Sequence, residues 1–312
     1  MKILDLFSGI GGFSLGLEKA GWQTVAFCEI DKHCQAILKK HWPEVVIFDD
    51  ITKLSKSNLS SDIDVICGGF PCQDISVAGH QKGITGDRSN LWKEYKRLIN
   101  EFKPKYAIIE NVANLRNKGL VTVLQDLAEI GYDAEWHCIP ASAVGAPHRR
   151  DRIWIIAYSR SYGCECGGNN RNGGYVQNNQ ERQFEEVQQE RHERKYRTCE
   201  VRQTSSDTDC ERCERGRELG EVSGLFAEKI GQAILRNSLS RDIWREEPVQ
   251  RVVDGRLNPE FVEWMMGYNC GWTEGIPRNQ RIKALGNSLV PVIPEMIAGA
   301  LSNNFKFETL DF

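Results

Sequence analysis

The sequence predicts an α/β fold: a parallel sheet with helices wound on both faces, followed by a smaller region of different character. Three observations carry that prediction. Short apolar runs alternate with amphipathic stretches through residues 2–159, the rhythm of successive strand–helix units. A glycine-rich turn joins the first run to the first amphipathic stretch, as where a strand hands over to a helix. Composition then changes after Ser159 and regains compact patterning near residue 255. The chain therefore divides into segments 1–159, 160–254 and 255–312.

Taken in order, "KILDLF" (2–7) reads as a buried strand and "GFSLGLEKAG" (12–21) as a helix closed by Gly21. "WQTVAFCE" (22–29) is a strand, and "DKHCQAILKKHW" (31–42) a helix with Asp31 near its cap. A short strand ends at Asp50 in "IFDDI". "DIDVICGG" (62–69) is a further strand, and "SNLWKEYKRLINEF" (89–102) a helix. "YAIIEN" (106–111), "LVTVLQDLAEIG" (120–131) and "RIWIIAYS" (152–159) continue as strand, helix and strand. After that, "GGNNRNGG" (167–174) is turn-rich, and residues 181–217 balance basic and acidic side chains with few large apolar ones. Order is expected again at 222–239, and "KALGNSLVPVIPEMIAGAL" (283–301) reads as helical.

The totals narrow the function classes. A chain of 312 residues holds one large or two modest domains with a substantial core. Forty Lys+Arg against forty-three Asp+Glu leave a formal charge of -3. No global positive field draws such a protein to nucleic acid, so any affinity must come from local patches. The eleven cysteines are odd in number and not spaced as a disulfide framework. The chain opens on "MKILDLF" without a cationic, apolar leader, and no stretch reads as a membrane span. A soluble, reduced, cytoplasmic protein is expected.

Two stretches raise chemical questions. In "DLFSGIGGF" the glycines let backbone turn tightly at a helix start, and Glu29, about 20 residues on, ends the second strand. That is also how a dinucleotide site is built, though Ser14 stands where the third glycine of that pattern would be. Asp50 reads either as an acceptor for an adenine amino group or as a solvated turn carboxylate. In "GGFPCQDIS", Cys72 reads either as a buried structural thiol or as a nucleophile on a rigid loop. The second reading needs partners. Glu110 in "ENV" leaves an apolar strand on the same sheet edge, where a carboxyl's pKa can rise; it also reads as a helix cap. Arg150 and Arg152 in "APHRRDRIW" are two apart, so on an extended strand both face one side.

The order of these pieces resembles the cytosine-C5 DNA methyltransferases, the family that uses S-adenosylmethionine. The resemblance rests on "DLFSGIGGF", Glu29, "DDI" (49–51), "GGFPCQDIS", "ENV", "RRDRI" (149–153), "RLNPEFVEWMMGY" and "GNSLVP". It covers roughly residues 1–158 and 255–303 and implies a doubly wound, Rossmann-like methyltransferase sheet with a smaller target-recognition domain.

The resemblance implies site residues too. Cys72 would add to C6 of a flipped cytosine, Glu110 would hydrogen-bond N3, Arg152 would hold O2, and Arg150 would lie near the flipped nucleotide. Phe7, Gly9, Gly11 and Gly12 would face the methionine end of the cofactor and Glu29 its ribose. Ile30 would pack on adenine, and Asp50 with Ile51 would hold the adenine edge. Pro71, Leu91, Asn287 and Ser288 would close the pocket. Ile30 departs from the aromatic common in the family, and His148 from a glutamine. The product would be S-adenosylhomocysteine, and Gln73 to about Ser89, with its glycines, would be a lid.

Residues 160–254 occupy the place of the family's target-recognition region, with arginines suited to phosphates and guanine edges. Cys164, Cys166, Cys199, Cys210 and Cys213 form C-x-C and C-x-x-C pairs. Free thiols are favoured over zinc there because the spacing between pairs is long, so no metal is expected. The expected partner is double-stranded DNA, in a bacterial or phage-infected cell, with a cognate restriction endonuclease system as a further candidate on which the sequence itself is silent. No N-terminal regulatory domain, no membrane contact and a monomer are also expected. The alternatives are a transfer-RNA cytosine methyltransferase, a catalytically silent DNA-binding homologue, and a nicotinamide oxidoreductase, which explains the first loop alone.

Overall fold

A computed structural model describes residues 1–59, 61–71, 90–162, 241–244 and 249–302. Cys72, the 73–89 loop, the tracts at 167–174 and 181–217, the ordered stretch expected at 222–239 and the cysteines from Cys164 to Cys213 lie outside the described residues. The described residues belong to one compact unit formed by residues 1–165 and 223–312.

Its centre is a seven-stranded sheet. The strands are β1 (Lys2–Leu6), β2 (Gln23–Cys28), β3 (Val46–Phe48), β4 (Val65–Gly68), β5 (Tyr106–Val112), β6 (Tyr132–Pro140) and β7 (Asp151–Ser159), in the order β3-β2-β1-β4-β5-β7-β6. The sheet is mixed rather than all parallel: β7 runs antiparallel to both β5 and β6. That corrects the expected orientation of "RIWIIAYS", because chain direction is set by the hairpin-like β6–β7 connection and not by strand composition. β6 was not foreseen from the sequence. "YDAEWHCIP" follows no clean alternation, as suits an edge strand with several half-buried positions.

Helices cover both faces. They are α1 (Gly12–Lys19), α2 (Lys32–His41), α3 (Asn90–Phe102), α4 (Leu115–Lys118), α5 (Leu120–Glu129), α6 (Pro259–Met265), α7 (Arg278–Asn287) and α8 (Val292–Leu301). Because strand side chains alternate, Ile3, Val65, Cys67, Ile108 and Trp154 meet α1 and α8 in one core. Leu4, Leu6, Ile66, Ile109 and Ile155 meet α3 and α5 in the other. Asp31 caps α2 as its position suggested, accepting from the N–H of His33 at 2.8 Å and of Cys34 at 3.3 Å.

The C-terminal return is two helices, not one. Residues 278–301 are long and apolar enough to pass as a membrane span, against the expectation that no stretch would be. The most apolar window is 67% buried inside the fold, and the chain breaks between α7 and α8 at Ser288–Pro291. α8 lies directly on α1: a Cβ on Gly16 would come 2.1 Å from the Pro291 carbonyl oxygen. The backbones approach that closely only because residue 16 is glycine.

Candidate active site

The strand order reverses between β1 and β4, whose chains leave the sheet edge in opposite directions. Ligands bind in open α/β sheets at such a switch point, beyond the carboxyl ends of the strands. Antiparallel β7 brings its beginning, rather than its end, to this edge, opposite the end of β5: Arg152 pairs with Val112 and Trp154 with Glu110.

On the β1 side, Phe7 (φ 53°), Gly9 (φ 54°) and Gly11 (φ 82°) take left-handed backbone conformations that fold the loop tightly. The Gly9 N–H donates to Glu29 Oε2 at 2.7 Å, and the Asp31 N–H donates to Glu29 Oε1 at 2.8 Å. Burial pushes the Glu29 carboxyl up, while these two N–H groups pull it down. Behind the loop, the Tyr268 hydroxyl occupies the space a Cβ of Gly12 would need, 2.4 Å away. Trp272 Nε1 donates to the Ile10 carbonyl at 3.0 Å.

Ser14, at the third-glycine position, has a role of its own. Its hydroxyl donates to Asp5 Oδ2 at 2.7 Å and its N–H at 3.3 Å, tying the first turn of α1 to β1. Asp5 is fully buried, Oδ1 has no partner among the described residues, and burial raises its pKa to about 8. Asp5, Tyr268 and Trp272 were not singled out from the sequence. For Asp5 the signal was present: a carboxylate inside an otherwise apolar strand is uncommon unless something holds it.

The other expected cofactor residues ring this loop unequally. Ile30 is 80% exposed, an apolar side chain bare beside Glu29. Ile51 is buried, and its carbonyl accepts from Arg97 Nη2 at 2.9 Å. Asp50 is engaged locally: Oδ1 accepts from the Thr52 N–H at 2.9 Å and hydroxyl at 2.7 Å, and Lys53 lies 3.3 Å from Oδ2. The turn-carboxylate reading thus describes its present contacts, with Thr52 foremost in holding its pKa down. Leu91 is half-buried at the start of α3, and Pro71 is exposed just past β4. Asn287 ends α7 exposed, and Ser288 follows it, half-buried.

On the β4–β5 side, Arg152 Nε lies 2.8 Å from Glu110 Oε1. The two sit diagonally across the β5–β7 pair, on one face of the sheet. Burial pushes the Glu110 carboxyl up against the opposing pull of Arg152 and Arg150. Its Oε2 lies where a Cβ of Gly69 would be, 2.7 Å from that position, so the acid is seated on the backbone three residues before Cys72. Asn111 fixes the same backbone. Its amide donates to the Phe70 carbonyl at 3.1 Å, while its own oxygen accepts from the Val112 N–H at 2.9 Å.

Arg150 differs from its expected geometry. It precedes β7 and has a left-handed backbone (φ 37°), so it does not share a strand face with Arg152. Its Nη2 donates to the carbonyls of Gly286, at 2.9 Å, and of Ser288. His148 Nε2 lies 3.1 Å from the Met265 carbonyl, and burial lowers its pKa.

These residues fit an S-adenosyl cofactor. Among the described residues, nothing beyond its chain neighbours lies within 4 Å of where a Gly9 Cβ would stand, leaving space over the loop. α1 begins at Gly12, and Gly11 offers it no side-chain cap; the Ser14 N–H is taken by Asp5, and those of Gly12 and Phe13 suit a carboxylate. Glu29 suits a ribose diol, and bare Ile30 suits an adenine face. Among the described residues no group of three or more His, Cys, Asp or Glu is gathered for a metal.

Comparison with known proteins agrees with this arrangement. A family model for C-5 cytosine-specific DNA methylases matches residues 1–303. Type II methyltransferase M2.BsuMI of Bacillus subtilis is 39% identical over 165 residues, 50% of this chain and 42% of that protein. Type II methyltransferase M.CviJI of Paramecium bursaria Chlorella virus IL3A is 39% identical over 163 residues, 52% and 44% of the respective chains. The matched parts thus span under half the length of these relatives. In fold, the chain is similar to Entamoeba histolytica methyltransferase EhMeth, with TM-score 0.59 and 16% identity over 98% of this chain and 99% of that one. S. pombe Dnmt2 methyltransferase gives TM-score 0.58 and 16% identity over 98% and 100%. With the sheet order, the glycine loop on Glu29 and the Glu110–Arg152 pair all in place, and the family model matching nearly end to end, this chain belongs to the C-5 cytosine-specific DNA methylases.

Proposed function

We propose that the chain is an S-adenosylmethionine-dependent DNA (cytosine-5-)-methyltransferase acting on a cytosine flipped out of double-stranded DNA within a short specific sequence. The observation that carries this reading is the Glu110–Arg152 pair seated against Gly69, on the backbone that leads directly into Pro71 and Cys72. Family membership supports it, as do relatives named Type II methyltransferases.

Phe7, Gly9, Gly11, Gly12, Glu29, Ile30, Asp50, Ile51, Pro71, Leu91, Asn287 and Ser288 would hold the cofactor, which would supply a methyl group made electrophilic by its sulfonium and become S-adenosylhomocysteine. Cytosine C5 is too weak a nucleophile to react unaided. The Cys72 thiolate adds to C6, and the ring electrons displaced by the new S–C bond make C5 nucleophilic. Glu110, whose carboxyl burial pushes up, donates a proton toward N3 as negative charge builds there. Arg152, its Nε on Glu110 and its Nη1 on the Asp151 carbonyl, orients that acid and presents Nη2 to O2. Loss of the C5 proton to solvent, expulsion of Cys72 and return of the N3 proton to Glu110 restore the aromatic base.

Residues 160–254 read the target sequence, while 1–159 and 255–312 form the catalytic domain. The protein acts as a monomer in the cytoplasm of a bacterial or phage-infected cell, paired with a restriction endonuclease. The test incubates purified protein and S-adenosylmethionine with plasmid DNA or bulk transfer RNA and maps 5-methylcytosine by bisulfite sequencing. Methylation at one recurring short DNA sequence is expected. Methylation of transfer RNA alone overturns the DNA assignment, and methylation of neither overturns the enzymatic one.

A further inference from the structure

Arg150 stands between the two halves of the site. Its guanidinium donates through Nη2 to the carbonyls of Gly286, at 2.9 Å, and Ser288, which flank Asn287 at the end of α7. Those carbonyls end a helix, where backbone acceptors lack intrahelical partners and a cation is favoured. On its other side Arg150 is within electrostatic reach of Glu110, Arg152 and Tyr268. The Tyr268 hydroxyl donates to the Leu289 carbonyl at 3.1 Å, so the segment after α7 is held from two directions. Arg150 also keeps a left-handed backbone (φ 37°), a strained conformation for a non-glycine residue that persists where surrounding contacts enforce it. Burial and the nearby Arg152 both disfavour its charge. A guanidinium placed at that cost is serving the two carbonyls.

We propose that Arg150 is a positioning residue for the cofactor site, holding the 286–288 segment in place and so linking Asn287 and Ser288 to the Glu110–Arg152 pair. The inference rests on the methyltransferase reading above and departs from it by moving Arg150 from the flipped nucleotide to the cofactor side. Lysine can reach one carbonyl as a point charge but lacks the planar fork that spans two. Methionine keeps the length and loses every donor.

The test is calorimetric titration of the full chain with S-adenosylhomocysteine in the absence of DNA, for wild type, Arg150→Lys and Arg150→Met. Duplex-DNA affinity is measured alongside. Cofactor affinity is expected to fall about tenfold or more in Arg150→Met, the loss of charged hydrogen bonds, and by less in Arg150→Lys, with DNA affinity within twofold of wild type. KM for S-adenosylmethionine should rise more than kcat falls. Unchanged cofactor affinity with weakened DNA binding or turnover overturns the proposal and returns Arg150 to the nucleotide. Should Arg150→Met fail to fold, Arg150→Lys decides alone: cofactor affinity equal to wild type overturns the proposal. No binding by wild type overturns the methyltransferase reading itself, and the proposal with it.

Discussion

Glu110 keeps its place because residue 69 has no side chain. A methyl group on Gly69 would stand 2.7 Å from Glu110 Oε2, inside contact distance, so Gly69→Ala must displace the acid. Misplacing a catalytic group by about 1 Å can cost around a hundredfold in rate. Methyl transfer in Gly69→Ala is therefore expected to fall about 10²-fold while S-adenosylhomocysteine binding by calorimetry stays near wild type. Asp5 gives a second prediction, on stability. Its pKa is raised in the folded state, from 3.8 to about 8, so the native protein binds this proton more tightly than the unfolded chain does. Stability from this residue is greatest below the unfolded value and falls as pH rises toward 8, by up to about 1.4 kcal/mol per pH unit. In Asp5→Asn, which can still accept from Ser14, that slope is expected to vanish. Urea denaturation between pH 4 and 8 measures it, and parallel slopes for both proteins would refute the assignment.

Elements that pack through one residue type were legible, and those defined by pairing direction were not. β1, β2, β4 and β5 are dense in Ile, Leu, Val and Phe with turn residues at their ends, so apolar run length placed them well. β6, half-buried along its length, left no such trace, and the reversed direction of β7 is a property of the connection before it. In the site, Glu29 directly follows β2, and Glu110 follows the apolar run at 107–109 inside β5, so each carboxylate stands out against apolar neighbours. Asp5, Asn111 and Tyr268 act on backbone atoms brought in by the fold, and nothing in their local sequence says which. For Arg150, spacing on an extended strand misleads about its direction because the strand starts one residue later. The α1–α8 contact tests the packing. Gly16→Ala puts a Cβ 2.1 Å from a backbone carbonyl, and overpacking of this kind costs about 1–3 kcal/mol. A lower urea midpoint with unchanged slope is expected; an unchanged midpoint would mean that the helices do not meet as described.

At the scale of the whole molecule, the sheet gathers three chemistries at one edge. The turn after β1 and the end of β2 make a loop braced by Glu29. The ends of β4 and β5 bring the approach to Cys72 beside Glu110. The reversed β7 brings Arg152 to the same edge. The C-terminal return closes this arrangement from behind, with Trp272 on the Ile10 carbonyl and Arg281 on the buried carboxylate of Glu263 at 2.9 Å. In the proposed mechanism this arrangement serves the addition of Cys72 to cytosine C6. A fluorine at C5 tests that step directly, because it cannot leave as the proton does and the Cys72–C6 bond then persists. The decisive measurement is mass spectrometry of the protein after incubation with S-adenosylmethionine and a random-sequence duplex library containing 5-fluorocytosine. A nucleotide adduct is expected on the peptide carrying Cys72 and is expected to be absent in Cys72→Ser. Methylation of ordinary DNA by Cys72→Ser, or an adduct on a different cysteine, would contradict that mechanism.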